Sequence, residues 1–541
     1  MTTVDDGPRV ASALQGSIAN ATLVVKDSPS DRGGWFRGSR LAVVIGLVAI
    51  MLAHAINSAN WPLYGDDEGT YVSQSWAVLH GELAHYTYWY DHPPLGWIQL
   101  SALLAIPDFL GFEPTMGMAR ILMVVFSATT ALMTYRLGRN VGLRQPAALV
   151  AMLLWGLSPL VVFESRQVFL DTIQLPWVIG AFVLATSGRQ RLLQHVAAGA
   201  CLGIAVLTKE TALVLVPALL LAIWIYAYRP TRVFSLVGAF VMLALVVLVF
   251  PLTALLNGEL IPGGGHVSLI EAIQFQLFSR EGSGVMWDPT SLARATVGDW
   301  LRFDPLLPIA GVVAGLCCLI PRRLRPIGLA ILTLTLIALR PDGYLPVMFI
   351  SVVLPFAAIS VAALGERTLS AVCAMRFRGM KVGRVLAAGL VSLVALVVVP
   401  GWVDGHIHSM TATENDPYNS AIDYVGQRLP RETRILADDS YWPNLVEMGW
   451  DADGWNGPIW YYKLDLDPVA RDRNLTGGWQ DIDYLIVNED LRRGVRALDK
   501  PQLRAAFQHS VVVSQWGTGA DNVELRRIEP DLEQVELAGI P

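Results

Sequence analysis

The chain has 541 residues, of which 53% are hydrophobic and only 16% charged, and its mean hydropathy is +0.45. A soluble domain is far less apolar, so the composition indicates a polytopic membrane protein. The net charge of -6 says little about partners, since what matters is which side of the membrane the charges lie on, and with no basic face a nucleic-acid role has no support. The four cysteines form no CxxC pair, which argues against a disulfide framework or a structural zinc site.

Residues 1–40 are polar, lack apolar periodicity and end in Arg32, Arg37 and Arg40, as expected of a disordered cytoplasmic tail. The apolar run from Leu41 continues past the cleavage-like Ala53-His54-Ala55 to Ile56, so a retained signal-anchor helix is expected. Next comes Tyr64–Trp97, in which Asp66, Asp67, Glu68, Glu82, His85, Asp91 and His92 are interspersed with Tyr and Trp and without Lys or Arg. Adjacent carboxylates repel and raise one another's pKa, so the stretch is either a carboxylate site or a solvated acidic loop.

The segment Leu95–Ile106 has about a dozen apolar residues, fewer than the roughly 20 that a helix needs to cross the hydrocarbon core. If it lies in the interface, every Arg-rich loop falls on one side of the membrane, as the positive-inside rule requires. The expectation is then eleven spans, near 41–60, 118–136, 146–163, 170–186, 194–208, 211–228, 233–256, 304–320, 326–339, 345–364 and 385–402. The amino terminus is placed in the cytoplasm and the loop 61–117 outside. Residues 403–541 are polar, with strands expected at Arg434–Asp438, Asp483–Val487 and His509–Trp516 and helices at Pro417–Leu429 and Pro501–Phe507. Alternating types of this kind suggest a small α/β domain on the outer face. Its tryptophans and tyrosines, Trp442, Trp450, Trp460 and Tyr462 among them, either stack on a glycan or form the domain core.

Charged residues in or beside spans are costly and serve as functional candidates. With this topology Glu164, Arg166, Asp171, Lys209, Glu210, Arg340, Asp342 and Tyr344 all reach the outer face, as do Asp66, Asp67, Glu68, Asp91 and His92. Several have plainer roles open to them. Lys209 could snorkel and pair with Glu210, Arg166 could pair with Asp171, and Arg340 could anchor the interface. A mixed-charge pocket suits group transfer from a lipid-borne anionic donor, with a carboxylate as general base and cations for the departing phosphate. Tyr71 and neighbouring aromatics offer faces for a sugar or prenyl chain, and no nucleotide-binding fingerprint is present.

The order DDEGTY, DHPPLG, the Arg-led second span at Arg120, ESRQVFLD and LTKET resembles the protein-mannosyltransferase and aminoarabinose-transferase superfamily, glycosyltransferase family 39 and its relatives. The likeness covers residues 41–230 well and the later spans only by pattern. It implies a GT-C fold: an all-α polytopic membrane body over 41–402 carrying an extracytoplasmic α/β domain over 403–541. It also implies an inverting, polyprenyl-phosphate-sugar-dependent glycosyltransferase acting on the outer face.

By that pattern Asp67 is the catalytic base with Glu68 beside it, and Asp171 is a second acid in the cavity. Lys209, Arg340 and Arg166 meet the donor phosphate. His92, Asp66, Tyr71, Tyr344, Asp91 and Glu210 line the substrate. No metal site and no required cofactor are implied, although the His and carboxylates leave room for a divalent cation. The partners expected are a polyprenyl-phosphate sugar, an acceptor hydroxyl on a glycan, lipid or protein, and membrane lipid. The basic inner loops suit a bacterial plasma membrane. A secondary transporter of an anionic solute is the alternative, although transporters place charges near the midplane and carry internal repeats.

Overall fold

The computed structural model describes residues 33–112, 115–189, 191–263, 266–341, 343–375, 382–452, 455–467, 473–496 and 499–532. The expected tail up to residue 32, Asp342, and Arg376, Arg378 and Lys381 lie outside the described residues. Residues up to Ile45 form one unit, described as the opening of helix α1 (Gly33–Ala55), and Gly46–Pro541 form a second. Helix α1 begins within the segment read from sequence as tail, because the GGWFRGSR stretch extends the apolar helix backwards.

The second unit continues with α2 (Asp66–Leu79), α3 (Leu95–Phe109), α4 (Met116–Val141), α5 (Gln145–Gly156), α6 (Pro159–Arg166), α7 (Leu170–Ala185) and α8 (Leu192–Thr208). A 3-10 stretch, Glu210–Leu215, leads into α9 (Val216–Tyr226), followed by α10 (Arg232–Val247), α11 (Val249–Leu256) and α12 (Leu269–Gln274). Then come α13 (Leu292–Phe303), α14 (Leu306–Cys318), α15 (Arg325–Ala338), α16 (Ile350–Cys373) and α17 (Gly383–Thr411).

Among the described residues four helices are long and apolar enough to cross a membrane, or up to six if each of two bent pairs counts as one span. The remaining apolar helices, α3 among them, have 10–17 residues. The expected count of eleven is therefore not established by helix length. Proline explains the first bent pair: Pro159 opens α6 and breaks the ladder after α5, giving a 56° bend. At the second, 102° between α13 and α14, the Asp304 carboxylate accepts the N–H groups of Leu306 at 2.9 Å and Leu307 at 3.2 Å. Helix α17 runs to Thr411 rather than 402, and its Leu396 and Val397 are 74% and 73% exposed, a surface that requires lipid.

The carboxyl-terminal part adds α18 (Asp416–Arg428), α19 (Trp442–Glu447), α20 (Tyr461–Leu466), α21 (Glu489–Arg496) and α22 (Pro501–Gln508) around five strands. These are β1 (Ile435–Ala437), β2 (Pro458–Trp460), β3 (Tyr484–Val487), β4 (Ser510–Trp516) and β5 (Val523–Ile528), in the order β2-β1-β3-β5-β4. The first three are parallel and the last two antiparallel to their neighbours. Sequence patterning finds β1, β3 and β4 but misses β2 and β5. Strand β2 has only three residues, and β5 carries Glu524 and a buried Arg526 that pair at 2.8 Å, so neither shows a clean alternation.

The sheet shares its core with the segment 61–112. Tyr64, Tyr71 and Trp97 lie in one buried cluster with Tyr418, Ile435, Tyr441 and Trp450. Trp442 is buried too, and Trp455, Trp460, Tyr462 and Trp479 pack on the sheet's second core, so the aromatic-rich stretch is chiefly packing. Contact is closest at Gly69, where a Cβ would lie 2.1 Å from Ser440 N and 2.4 Å from Asp439 C. Gly69→Ala should therefore destabilise the protein by about 1–3 kcal/mol or more, since backbone cannot step aside. Thermal unfolding in detergent checks this against Gly365→Ala, where no atom lies within 4 Å.

The same junction gathers acids. Burial and the neighbouring Asp490 push the Asp438 carboxyl up to about 7, and burial with Asp438 beside it pushes Asp66 up as well. A carboxyl raised on folding contributes stability present below its unfolded value near 3.8 and lost as pH rises through about 7. Asp438→Asn should therefore flatten the fall in melting temperature between pH 4 and about 7, an outcome read directly from melting curves of both proteins across that window.

Candidate active site

The site begins at the amino terminus of α2, where three carboxylates follow Gly65 and are favoured by the helix dipole. Glu68 caps the helix by accepting the Gly65 N–H at 2.9 Å, and also takes the Val168 N–H at 3.2 Å and Arg120 Nε at 2.9 Å. A second Arg120 nitrogen bonds its other oxygen. Arg120 further donates to the carbonyls of Ser58, Pro62 and Leu63, and its guanidinium lies 4.1 Å above the Tyr64 ring. Glu68 and Arg120 are both fully buried. The structure thus removes Glu68 from the open site: its oxygens are committed, and it is a positioning residue.

Asp66 faces the sheet, accepting the Asp439 N–H at 3.0 Å and Trp460 Nε1–H at 2.8 Å. Its expected place against substrate is taken by this structural duty. Between two tethered carboxylates, Asp67 is held exposed, with no partner among the described residues. Tyr71 lies one turn further along the same face. Burial and the charges of Asp67, Asp91, Asp171 and Glu210 raise its phenol well above the ordinary range, so it stays a neutral donor.

The other side of the site is made from distant segments. Lys209 is extended (φ -156°, ψ 128°) between α8 and the 3-10 stretch, which interrupts the span and leaves the ammonium to bond Asp171 Oδ2 at 2.5 Å. Asp171 stands in the first turn of α7, and both partners are buried. Glu210 does not pair with Lys209; its Oε2 receives His92 Nδ1 at 3.0 Å. Tyr88 Oη donates to the His92 carbonyl at 2.5 Å. Burial pushes the His92 imidazole down, but the Glu210 carboxylate more than offsets this and its pKa is raised. Asp67 acts on the Lys209 charge, which sets the two sides within one electrostatic field.

Two expectations fail here. Arg166 pairs with neither Asp171 nor an open cavity. It is buried and spends its guanidinium on the carbonyls of Ala53, Ile56 and Ser409 at 2.7–2.8 Å, closing the exposed end of α1. Tyr344 has Arg280 stacked 3.5 Å over its ring, in a loop pinned by Ser283 N–H to Gly343 O at 3.0 Å. Arg340 is exposed at the turn after α15, a helix that packs on the Glu210–Leu215 stretch, and no contact joins it to Lys209 among the described residues. Sequence reading gave Arg120 no site role, although an arginine inside an apolar span was itself the signal. Among the described residues no three His, Cys, Asp or Glu side chains come together as a ligand set for a metal.

Residues 93–261 match the family model described as dolichyl-phosphate-mannose-protein mannosyltransferase. No curated protein sequence matches. The fold is similar to ArnT from Cupriavidus metallidurans bound to undecaprenyl phosphate, with TM-score 0.55 and 13% identity over 91% of this chain and 98% of that one. It is similar also to the apo oligosaccharyltransferase of Archaeoglobus fulgidus (TM-score 0.53, 12% identity, 91% of this chain and 77% of that one). The oligosaccharyltransferase AglB of the same organism, in complex with an inhibitory peptide and a dolichol-phosphate, gives TM-score 0.52 and 13% identity over 92% and 75%. These matches show a fold of the GT-C kind, shared with ArnT and the archaeal oligosaccharyltransferase, and a likeness of residues 93–261 to the protein-mannosyltransferase family.

Proposed function

We infer that the protein is a membrane glycosyltransferase that moves a sugar from a polyprenyl-phosphate donor to an acceptor hydroxyl on the extracytoplasmic face. The observation that carries this reading is an exposed carboxylate without a partner among the described residues, Asp67, standing in the field of the buried Lys209 and of Tyr71, with the His92–Glu210 pair in the same cluster. Asp67 takes the proton of the acceptor hydroxyl, whose oxygen attacks the anomeric carbon as the bond to the phosphate oxygen breaks. The leaving polyprenyl phosphate gains charge, which Lys209 and His92 stabilise and Arg340 meets at the rim. Asp171 holds Lys209 in place, and Asp91 and Tyr71 line the sugar. The resemblance of the fold to proteins bound to undecaprenyl phosphate and a dolichol-phosphate supports a donor of that class.

The test is sugar release from a panel of radiolabelled polyprenyl-phosphate sugars by the purified protein with a crude envelope acceptor. Consumption of one donor with labelled acceptor formed is expected. A folded protein that consumes and binds none of the panel would falsify the reading and turn attention to transport of an anionic solute.

A further inference from the structure

Helix α9 and its 3-10 lead run from Glu210 to Tyr226, so a span of about 25 Å separates the candidate active site from the opposite end of the helix. At that far end is an open cavity of about 810 Å³ lined by Arg229, Arg232, Arg322 and Arg323, with Tyr226 and Tyr228 and no acidic side chain. None of the four arginines makes an ion pair among the described residues. The Nε of Arg232 is buried without a hydrogen-bond partner there, while its guanidinium stacks 4.6 Å from the Trp224 ring centre. Uncompensated positive charge beside a buried orphan donor calls for an anion.

A second cavity, about 590 Å³, lies between helices α9, α10 and α15 and is lined by Leu220, Leu221, Trp224, Val237, Phe240 and Leu329. It is almost wholly apolar, and its Trp224 is the residue that Arg232 covers. An apolar groove that ends at a cluster of four arginines matches one kind of molecule: acyl chain below, phosphate above. We propose that this is a binding site for an anionic phospholipid of the bilayer, the chain lying in the groove and the headgroup phosphate held by Arg229, Arg232, Arg322 and Arg323. A lipid seated there braces the foot of α9, whose other end carries Lys209 and Glu210.

Lipid retention by the purified, delipidated full chain, measured by native mass spectrometry, tests the site. Phosphatidylglycerol and phosphatidylcholine with identical chains are added, and excess inorganic phosphate is the competitor. Phosphatidylglycerol should be retained roughly tenfold more than phosphatidylcholine. The preference should vanish in Arg322→Gln/Arg323→Gln and persist in Arg322→Lys/Arg323→Lys. Equal retention of the two lipids by the wild type overturns the proposal, as does full displacement by inorganic phosphate, which would make the bare anion the ligand. A glutamine variant that melts like the wild type yet keeps the preference overturns it too. Should that variant not fold, Arg229→Gln is read in its place.

Discussion

Replacing Asp67 by Asn is expected to lower sugar transfer by about 10²-fold or more, the lower range for loss of a general base, with little change in donor KM. The substitution keeps size and hydrogen-bonding capacity, and Asp67 is exposed and unpartnered, so the fold has little reason to respond. What it loses structurally is one carboxylate at a helix amino terminus, about 0.3–1 kcal/mol. An unchanged melting temperature with collapsed transfer is therefore the expected signature, and Asp67→Glu should restore part of the rate. Transfer that survives Asp67→Asn within a few-fold would move the base elsewhere in the cluster, with Asp91, whose charge also acts on Tyr71, the next candidate.

The second large effect falls on the pair that positions Asp67. Arg120→Met should destabilise the protein by about 3–5 kcal/mol, because it leaves Glu68 buried without its counter-charge and takes the guanidinium donor from the Ser58 and Leu63 carbonyls. Restoring neutrality with Glu68→Gln in the same chain should recover part of this, since Gln still accepts the Gly65 N–H. Melting curves of the two single variants and the double variant measure the coupling. A melting temperature of Arg120→Met close to the wild type would show that the pair does not hold α2, and the account of Asp67 as a carboxylate presented by its neighbours would fall with it.

The four-residue spacing from Asp67 to Tyr71, the proline stops and the apolar runs are local properties, and the sequence by itself determined them. Apolar periodicity marks most of the long helices, although the expected span 146–163 runs through the break at Pro159 and helix α2 falls in an expected loop, and the cost of burying charge marks Asp67, His92, Asp171, Lys209 and Glu210 as residues with work to do. It determined likewise that 435–437, 484–487 and 510–516 extend, since each is a run of β-formers between turns.

Which charge meets which was decided only by the tertiary structure. The pairs Lys209–Asp171, Arg120–Glu68 and His92–Glu210 join residues 38, 52 and 118 positions apart, and each charge had nearer partners available in sequence. Glu210 beside Lys209, and Arg166 five residues before Asp171, are the local pairings that did not form. Lys209 in extended backbone points to Asp171, and Arg166 is drawn to the open carbonyls at the end of α1, which no local pattern announces. The same holds for Asp66 and Glu68: next to Asp67 in sequence, they are equivalent as letters. Packing against the 438–441 turn and against Arg120 occupies both, and leaves the middle carboxylate free for chemistry.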